Sequence, residues 1–201
     1  MEQTIEHRPV SATMQTTEPL VELRTQSTAR ALSWFEQLAD GDESELDVDQ
    51  PYQRGDVWDD NRRRLLIRSL LQGVPIGAIV VNDRFTAKFH EPAYGPVRTA
   101  AANRNWAVAI IDGKQRFTTF VRWLRSELTV PASWFPASEI LRPEDGADGP
   151  HVRLSGLVAP QGRRFRNTPV SVEEATVQTL DAERTIFDLI NFGGVAQGET
   201  D

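Results

Sequence analysis

The clearest hydrophobic pattern lies in the middle of the chain, where an apolar run is followed by a helical repeat. Residues 106–111 (WAVAII) are uninterrupted apolar positions over a strand's length, which is typical of a strand covered on both faces. After Asp112 and Gly113, apolar residues recur at spacings of three and four: Phe117, Phe120, Val121, Leu124 and Leu128. This spacing predicts a helix over about 114–128 with one buried stripe.

The hydrophobic pattern also predicts helices and strands before and after these residues. Helices are expected at 29–38, 60–72 and 182–190, and strands at 46–49, 76–81, 152–158 and 169–177. Asp59 or Asp60 can cap the second helix, and Asp181 is a candidate cap for the last. Polar or Pro-containing stretches should connect the elements: 82–104 as a hairpin or excursion, and 131–136 and 142–150 as irregular connections.

Composition limits the classes of site that the chain can form. With 201 residues and 39% hydrophobic positions, one sizeable core is expected: a single domain over 27–201 after a disordered acidic arm at 1–26. No cysteine is present, and His7, His90 and His151 are far apart, which argues against disulfides, thiolate nucleophiles and histidine-based metal or nuclease sites. No signal or membrane-length apolar segment occurs, so a soluble, cytoplasmic protein without a membrane partner is expected.

The acidic charge is concentrated near the start of the sequence. The net charge is -7, and residues 1–50 hold 11 acidic residues against 3 arginines, which leaves 18 acidic and 19 basic residues in the remainder. The acidic residues 40–45 lack calcium-loop spacing and are interpreted as a solvated loop. Nucleic-acid binding could use only the local arginine clusters 62–64 and 163–166, which are otherwise ordinary solvated charges.

The turn between the apolar run and the helix carries the densest polar chemistry. Asp112 is a favoured helix cap, Gly113 permits a tight turn, and the first-turn N–H groups of a helix lack backbone acceptors. With Lys114, one of only two lysines in the chain, and Arg116 beside them, these donors favour a phosphate site. The alternative is a strand, turn and helix with no ligand.

Three stretches together resemble one protein family. They are Tyr52-Gln-Arg54 through Trp58 with Gly73-Val-Pro75-Ile76, then Ile111-Asp-Gly-Lys-Gln-Arg116 with Thr118 and Thr119, and last Ile186-Phe187 through Asn191 with Gly193-Gly194. In order and spacing the chain resembles the N-terminal domain of GmrSD-type modification-dependent restriction systems, of the ParB/sulfiredoxin-like superfamily. The resemblance implies a compact α/β domain with a small mixed sheet flanked by helices. It also implies binding, and often hydrolysis, of a nucleoside triphosphate that controls a nuclease.

The resemblance also assigns residues. The implied nucleotide-binding set is Gln53, Arg54, Gly113, Lys114, Arg116, Thr118, Asn191 and Gly194. Arg54 and Arg116 would hold triphosphate oxygens, with Lys114 as an additional charge where the family commonly has Gln. The implied catalytic set is Asp112, Gln115 and Arg116: Asp112 caps the helix or holds Mg²⁺ through water, and Gln115 orients the attacking water.

Three functions from different classes follow. The first is a nucleotide-dependent regulatory domain of a bacterial or phage restriction system, with Mg²⁺-dependent NTPase activity as its expected chemistry. The second is a ParB-like DNA-binding module, and the third is a non-catalytic interaction or nucleotide-sensing protein of phage defence or anti-defence. No His-Asn-His nuclease half lies within the sequence, so we expect either part of a longer protein or a stand-alone form that acts on a separate nuclease or defence protein.

Overall fold

Eight strands build two sheets in a computed structural model that describes residues 22–40, 46–53, 55, 57–90 and 107–192. The strands are β1 (Thr25–Ala31), β2 (Leu46–Asp47), β3 (Ile79–Asp83), β4 (Val108–Asp112), β5 (Val130–Pro131), β6 (Pro143–Gly146), β7 (Gly149–Val152) and β8 (Pro169–Ala175). The main sheet has the order β1-β8-β3-β4-β2, and the smaller sheet has the order β5-β7-β6.

Six α-helices surround the main sheet in the described part of the chain. They are α1 (Leu32–Ala39), α2 (Asp60–Leu71), α3 (Arg84–Ala87), α4 (Lys114–Leu124), α5 (Ala159–Arg166) and α6 (Leu180–Phe192). None of the helices in these residues has the length and apolarity needed to cross a membrane.

The main sheet is mixed in strand direction. β1 pairs with β8, and β3 with β4, in antiparallel fashion, whereas β3 runs parallel to β8 and β2 parallel to β4. The expected α/β fold with a small mixed sheet flanked by helices is confirmed.

Both faces of the two central strands are buried, as the uninterrupted apolar run predicted. Alternate residues point to opposite faces of a strand. One face of β3 and β4 packs into the larger core with α1, α2 and α4, through Ile79, Val81 and Ile110. The other face packs against α6, where Val80 and Ile111 meet Ile186.

The predicted helices are present, but some of their boundaries differ from the predicted ones. Asp59 caps α2 by accepting a hydrogen bond from the backbone N–H of Arg62 at 2.7 Å, as expected. Helix α4 ends at Leu124, short of the predicted 128, and Leu128 is buried beyond the helix. The predicted cap Asp181 is wrong: α6 begins at Leu180, and the Thr179 hydroxyl accepts from the Ala182 N–H at 3.2 Å.

Several connections were predicted wrongly. Thr25–Ala31 is a strand, whereas the sequence pattern predicts an arm for its first residues and a helix for its last. Residues 143–152 form a hairpin of two strands, not an irregular connection. The segment Leu154–Gly156 is a single 3-10 turn within the predicted strand 152–158, and the Arg163–Arg166 cluster lies in α5. The expected excursion at 82–104 begins with helix α3, and its residues 91–104 lie outside the described chain.

A buried ion-pair network fixes α6 to the sheet. The carboxylate of Glu183, which is fully buried, accepts from both Nε and Nη2 of Arg84 at 2.6 Å. Asn82 donates to the same carboxylate at 2.7 Å, and Arg84 also donates to Asp47 at 2.8 Å. The Tyr52 hydroxyl lies 3.4 Å from Glu183 Oε2. The last helix is thereby held to β2, to β3 and to the loop that follows β2.

Candidate functional site

In the part of the chain that the structure describes, the turn from β4 into α4 leaves the first N–H groups of the helix without protein acceptors. Gly113 occupies the N-cap position with φ +94°, and no side chain caps the helix. The backbone N–H of Phe117 bonds to the Gly113 carbonyl, but among the described residues the N–H groups of Lys114, Gln115 and Arg116 have no acceptor. The predicted capping role of Asp112 is wrong, because its carboxylate accepts from the Arg116 side chain instead.

Arg116 is held in a narrow slot beside this turn. Its Nη2 donates to Asp112 Oδ2 at 2.7 Å and to the carbonyl of Ala78 at 2.8 Å, so the side chain joins the end of β4 to the residue before β3. A Cβ atom at Gly113 would lie 3.1 Å from Nη2 and 3.0 Å from Cγ1 of Ile79. Within the described chain Nη1 makes no hydrogen bond, which leaves one donor edge of the guanidinium unused.

Gln115 and Gln53 attach the loop after β2 to the β4–α4 turn. The Gln115 amide donates to the Gly55 carbonyl at 2.9 Å and accepts from the Trp58 N–H at 3.3 Å. The Gln53 amide donates to the carbonyls of Ile110 and Ile111 at 2.7 and 2.6 Å. Both side chains therefore organise the loop in this structure.

Lys114 brings a positive charge to the start of α4. Its Nζ lies 2.7 Å from Oδ1 of Asp49, and the lysine side chain is 15% exposed whereas the aspartate is 77% exposed. An ion pair with such an exposed partner contributes little to stability. Asp49 can therefore leave Lys114 at small cost when a stronger anion binds.

These groups share an open cleft of about 440 Å³. Both polar and apolar side chains line it: Gln53, Val57, Trp58, Arg62, Asp112, Gly113, Lys114, Gln115, Arg116, Phe187 and Asn191. The cleft therefore joins the end of β4, the start of α4, the loop before α2 and the C-terminal half of α6.

The cleft contains most of the residues that were predicted to bind a nucleotide. Thr118 is in α4 but is not among the described residues that line the cleft. Asn191 lines it, and its Nδ2 donates to the Phe187 carbonyl at 2.8 Å. Arg54 and Gly194 lie outside the described residues. Val57, Trp58, Arg62 and Phe187 were not predicted, although Trp58 stands directly before the predicted helix cap and so could have been placed near the turn.

The described residues of the cleft do not form a metal centre by themselves. No group of three or more His, Cys, Asp or Glu side chains suited to a metal occurs in the described chain, and Asp112 is the one acidic residue in the cleft lining. Mg²⁺ usually binds through one or two carboxylates, water and substrate phosphates. Asp112 is therefore the one carboxylate among the described cleft residues that could hold a Mg²⁺ ion bound to a polyphosphate.

Three arginines of the two clusters are engaged in contacts within the fold. Arg63 is buried and donates to the Trp58 carbonyl, and Arg64 donates to the Thr129 carbonyl at 2.9 Å. Arg166 pairs with Glu36 at 3.2 Å. These contacts serve the fold, so the structure adds no support to the DNA-binding hypothesis.

Comparison with known protein families identifies the family to which the chain belongs. A family model described as the GmrSD restriction endonuclease, N-terminal domain, matches residues 35–201. The chain belongs to this family. No curated protein and no solved structure matches it. The matched region of the GmrSD N-terminal domain includes every residue that lines the cleft, but it begins after β1. Family membership indicates a component of a restriction-type defence system.

Proposed function

We propose that this GmrSD N-terminal domain binds a nucleoside triphosphate in the cleft and acts as a regulatory domain of a bacterial or phage restriction-type system. The observation that carries the proposal is at the start of α4, beside Lys114, where three N–H groups have no acceptor among the residues that the structure describes. Unpaired amides and the positive end of the helix dipole favour phosphate at such a position.

The contacts to the triphosphate follow from the groups that remain unused. The amides of residues 114–116 and the ammonium of Lys114 hold the terminal phosphate oxygens after Asp49 is displaced. Arg116 adds its Nη1, with the guanidinium oriented by Asp112 and the Ala78 carbonyl. Charge-assisted hydrogen bonds of this kind are about twice as strong as neutral ones.

Mg²⁺ that accompanies the nucleotide would neutralise phosphate charge and would be held by Asp112 through water. Hydrolysis is a second step of the proposal, in which a water attacks the terminal phosphorus as the bond to the bridging oxygen breaks. Gln115 would orient that water only after releasing the Gly55 carbonyl or the Trp58 N–H. Nucleotide binding, with or without hydrolysis, would then be signalled to a nuclease or another defence protein.

The two lysines of the chain provide a matched test of binding. Lys114→Gln removes the charge in the cleft, whereas Lys88→Gln removes an exposed charge at the end of α3. We expect Lys114→Gln to weaken ATP binding on the order of tenfold or more, because a hydrogen bond to a charged group is lost. Isothermal titration calorimetry with Mg²⁺ at low salt measures this change.

Lys88→Gln should bind ATP like the unmodified protein. Equal affinity in the unmodified protein and Lys114→Gln would contradict the proposed phosphate site. Orthophosphate release, followed in the same samples, tests the hydrolytic step separately from binding.

A further inference from the structure

Two aromatic side chains line the cleft beside the groups that are proposed to bind phosphate. Trp58 and Phe187 both line the cleft and are half-buried, and Phe187 packs on Tyr52 with ring centroids 5.2 Å apart. These side chains come from the loop before α2 and from α6. The cleft thus offers aromatic surface in addition to the groups proposed to bind phosphate.

Trp58 is held firmly at its backbone. Its N–H donates to Gln115 at 3.3 Å, and its carbonyl accepts from the buried Arg63. The next residue, Asp59, caps α2. The backbone of Trp58 is therefore bonded to both α2 and α4, which anchors this residue close to the start of α4.

A cationic side chain lies over one face of the Trp58 indole. The guanidinium of Arg62 lies over the Trp58 ring, 4.8 Å from its centroid. Arg62 is exposed and forms no ion pair with a described residue. A planar ligand can take the place of this guanidinium without leaving a buried charge unpaired.

We propose that Trp58 is the stacking platform for the nucleobase, so that the cleft discriminates nucleoside triphosphates from base-free polyphosphates. This inference rests on the proposed function and concerns the nucleobase, which the phosphate contacts do not recognise. Base–aromatic stacking is tolerant of base identity, because every base presents a flat face, and purines cover more of an indole than pyrimidines do.

The deciding comparison is ATP against inorganic tripolyphosphate, which has similar charge and lacks the nucleoside. We expect the unmodified protein to bind ATP more tightly by on the order of tenfold, the scale of one stacked base. Trp58→Ala should lose this preference and keep its affinity for tripolyphosphate, whereas Lys114→Gln should weaken both ligands. Isothermal titration calorimetry of the full chain gives all the affinities.

A second variant distinguishes the loss of stacking from a loss of folding. Trp58→Phe keeps an aromatic ring and should retain a reduced preference for ATP. Tryptophan emission gives an independent readout, because ATP stacked on Trp58 should quench part of the signal in the unmodified protein but not in Trp58→Phe. Trp34 is the matched control, since Arg30 lies 5.2 Å from its ring centroid in the same type of pair outside the cleft. Trp34→Phe should keep both the preference and the quenching.

The outcomes separate the two proposals. Tripolyphosphate binding that depends on Lys114, together with equal affinity for ATP or an ATP preference that survives in Trp58→Ala, would overturn the stacking platform and leave the phosphate site standing. Absence of binding by either ligand would overturn both.

Discussion

At the scale of single residues, Arg116 and Gly113 form one structural unit. The guanidinium is bonded to Asp112 and to the Ala78 carbonyl, and it lies against the Gly113 backbone. The sequence had indicated a ligand-binding role for Arg116 and a tight turn at Gly113. It could not show their mutual contact, because the contact depends on β3 lying beside β4.

Substitution of Gly113 tests this contact. Gly113→Ala places a methyl group against Arg116 and Ile79 at a positive φ, whereas Gly73→Ala meets the same backbone strain at φ +68° in open space. A non-glycine residue in the left-handed region costs roughly 1–2 kcal/mol. We expect Gly73→Ala to lose about that amount and Gly113→Ala to lose more, as measured by urea denaturation. Equal losses would show that Arg116 does not constrain the turn.

Among the helices and strands, those in which hydrophobic residues recur at a regular spacing could be predicted from the sequence. Helices α2 and α4 and strand β4 could be predicted because their buried residues recur at the spacing of their own structure. β1 has no such period, since most of Thr25–Ala31 is exposed or half-buried. It is specified by backbone pairing with β8 and by contacts such as Arg30 Nη2 with Glu174 Oε1 at 2.5 Å, which depend on a residue 144 positions away.

The missed strand leads to a prediction about domain boundaries. A chain shortened to begin at Leu32 lacks β1 and exposes the edge of β8, although it still contains the whole family match. Exposed sheet edges pair with other chains. We expect this chain to unfold at lower temperature and to aggregate, whereas a chain that begins at Glu22 should behave like the full protein. Light scattering during thermal unfolding distinguishes them, and identical curves would show that β1 is dispensable.

At the scale of the whole molecule, the Glu183–Arg84 pair joins the last helix to the sheet. Removing one partner of a buried pair leaves an uncompensated charge, which costs about 3–5 kcal/mol. Because Asp47 still pairs with Arg84 at 2.8 Å, we expect Glu183→Gln to lower the free energy of unfolding by less than that amount, measured by urea denaturation.

The control is Glu22→Gln, since Glu22 pairs with Arg24 at the surface, where both side chains are more than 70% exposed. This change should have no measurable effect on stability. A Glu183→Gln protein as stable as the control would mean that the pair does not hold α6.

The exposed partner of Lys114 has a consequence for ligand choice. Asp49 acts as a tethered competitor, because it is always present near the ammonium at a high effective concentration, on the order of millimolar for a short flexible connection. A singly charged anion such as chloride gains little by replacing it. Under the proposed function, a triphosphate would gain several contacts for the one that Asp49 gives up, so Asp49 would disfavour the abundant small anions of the cell relative to polyanions.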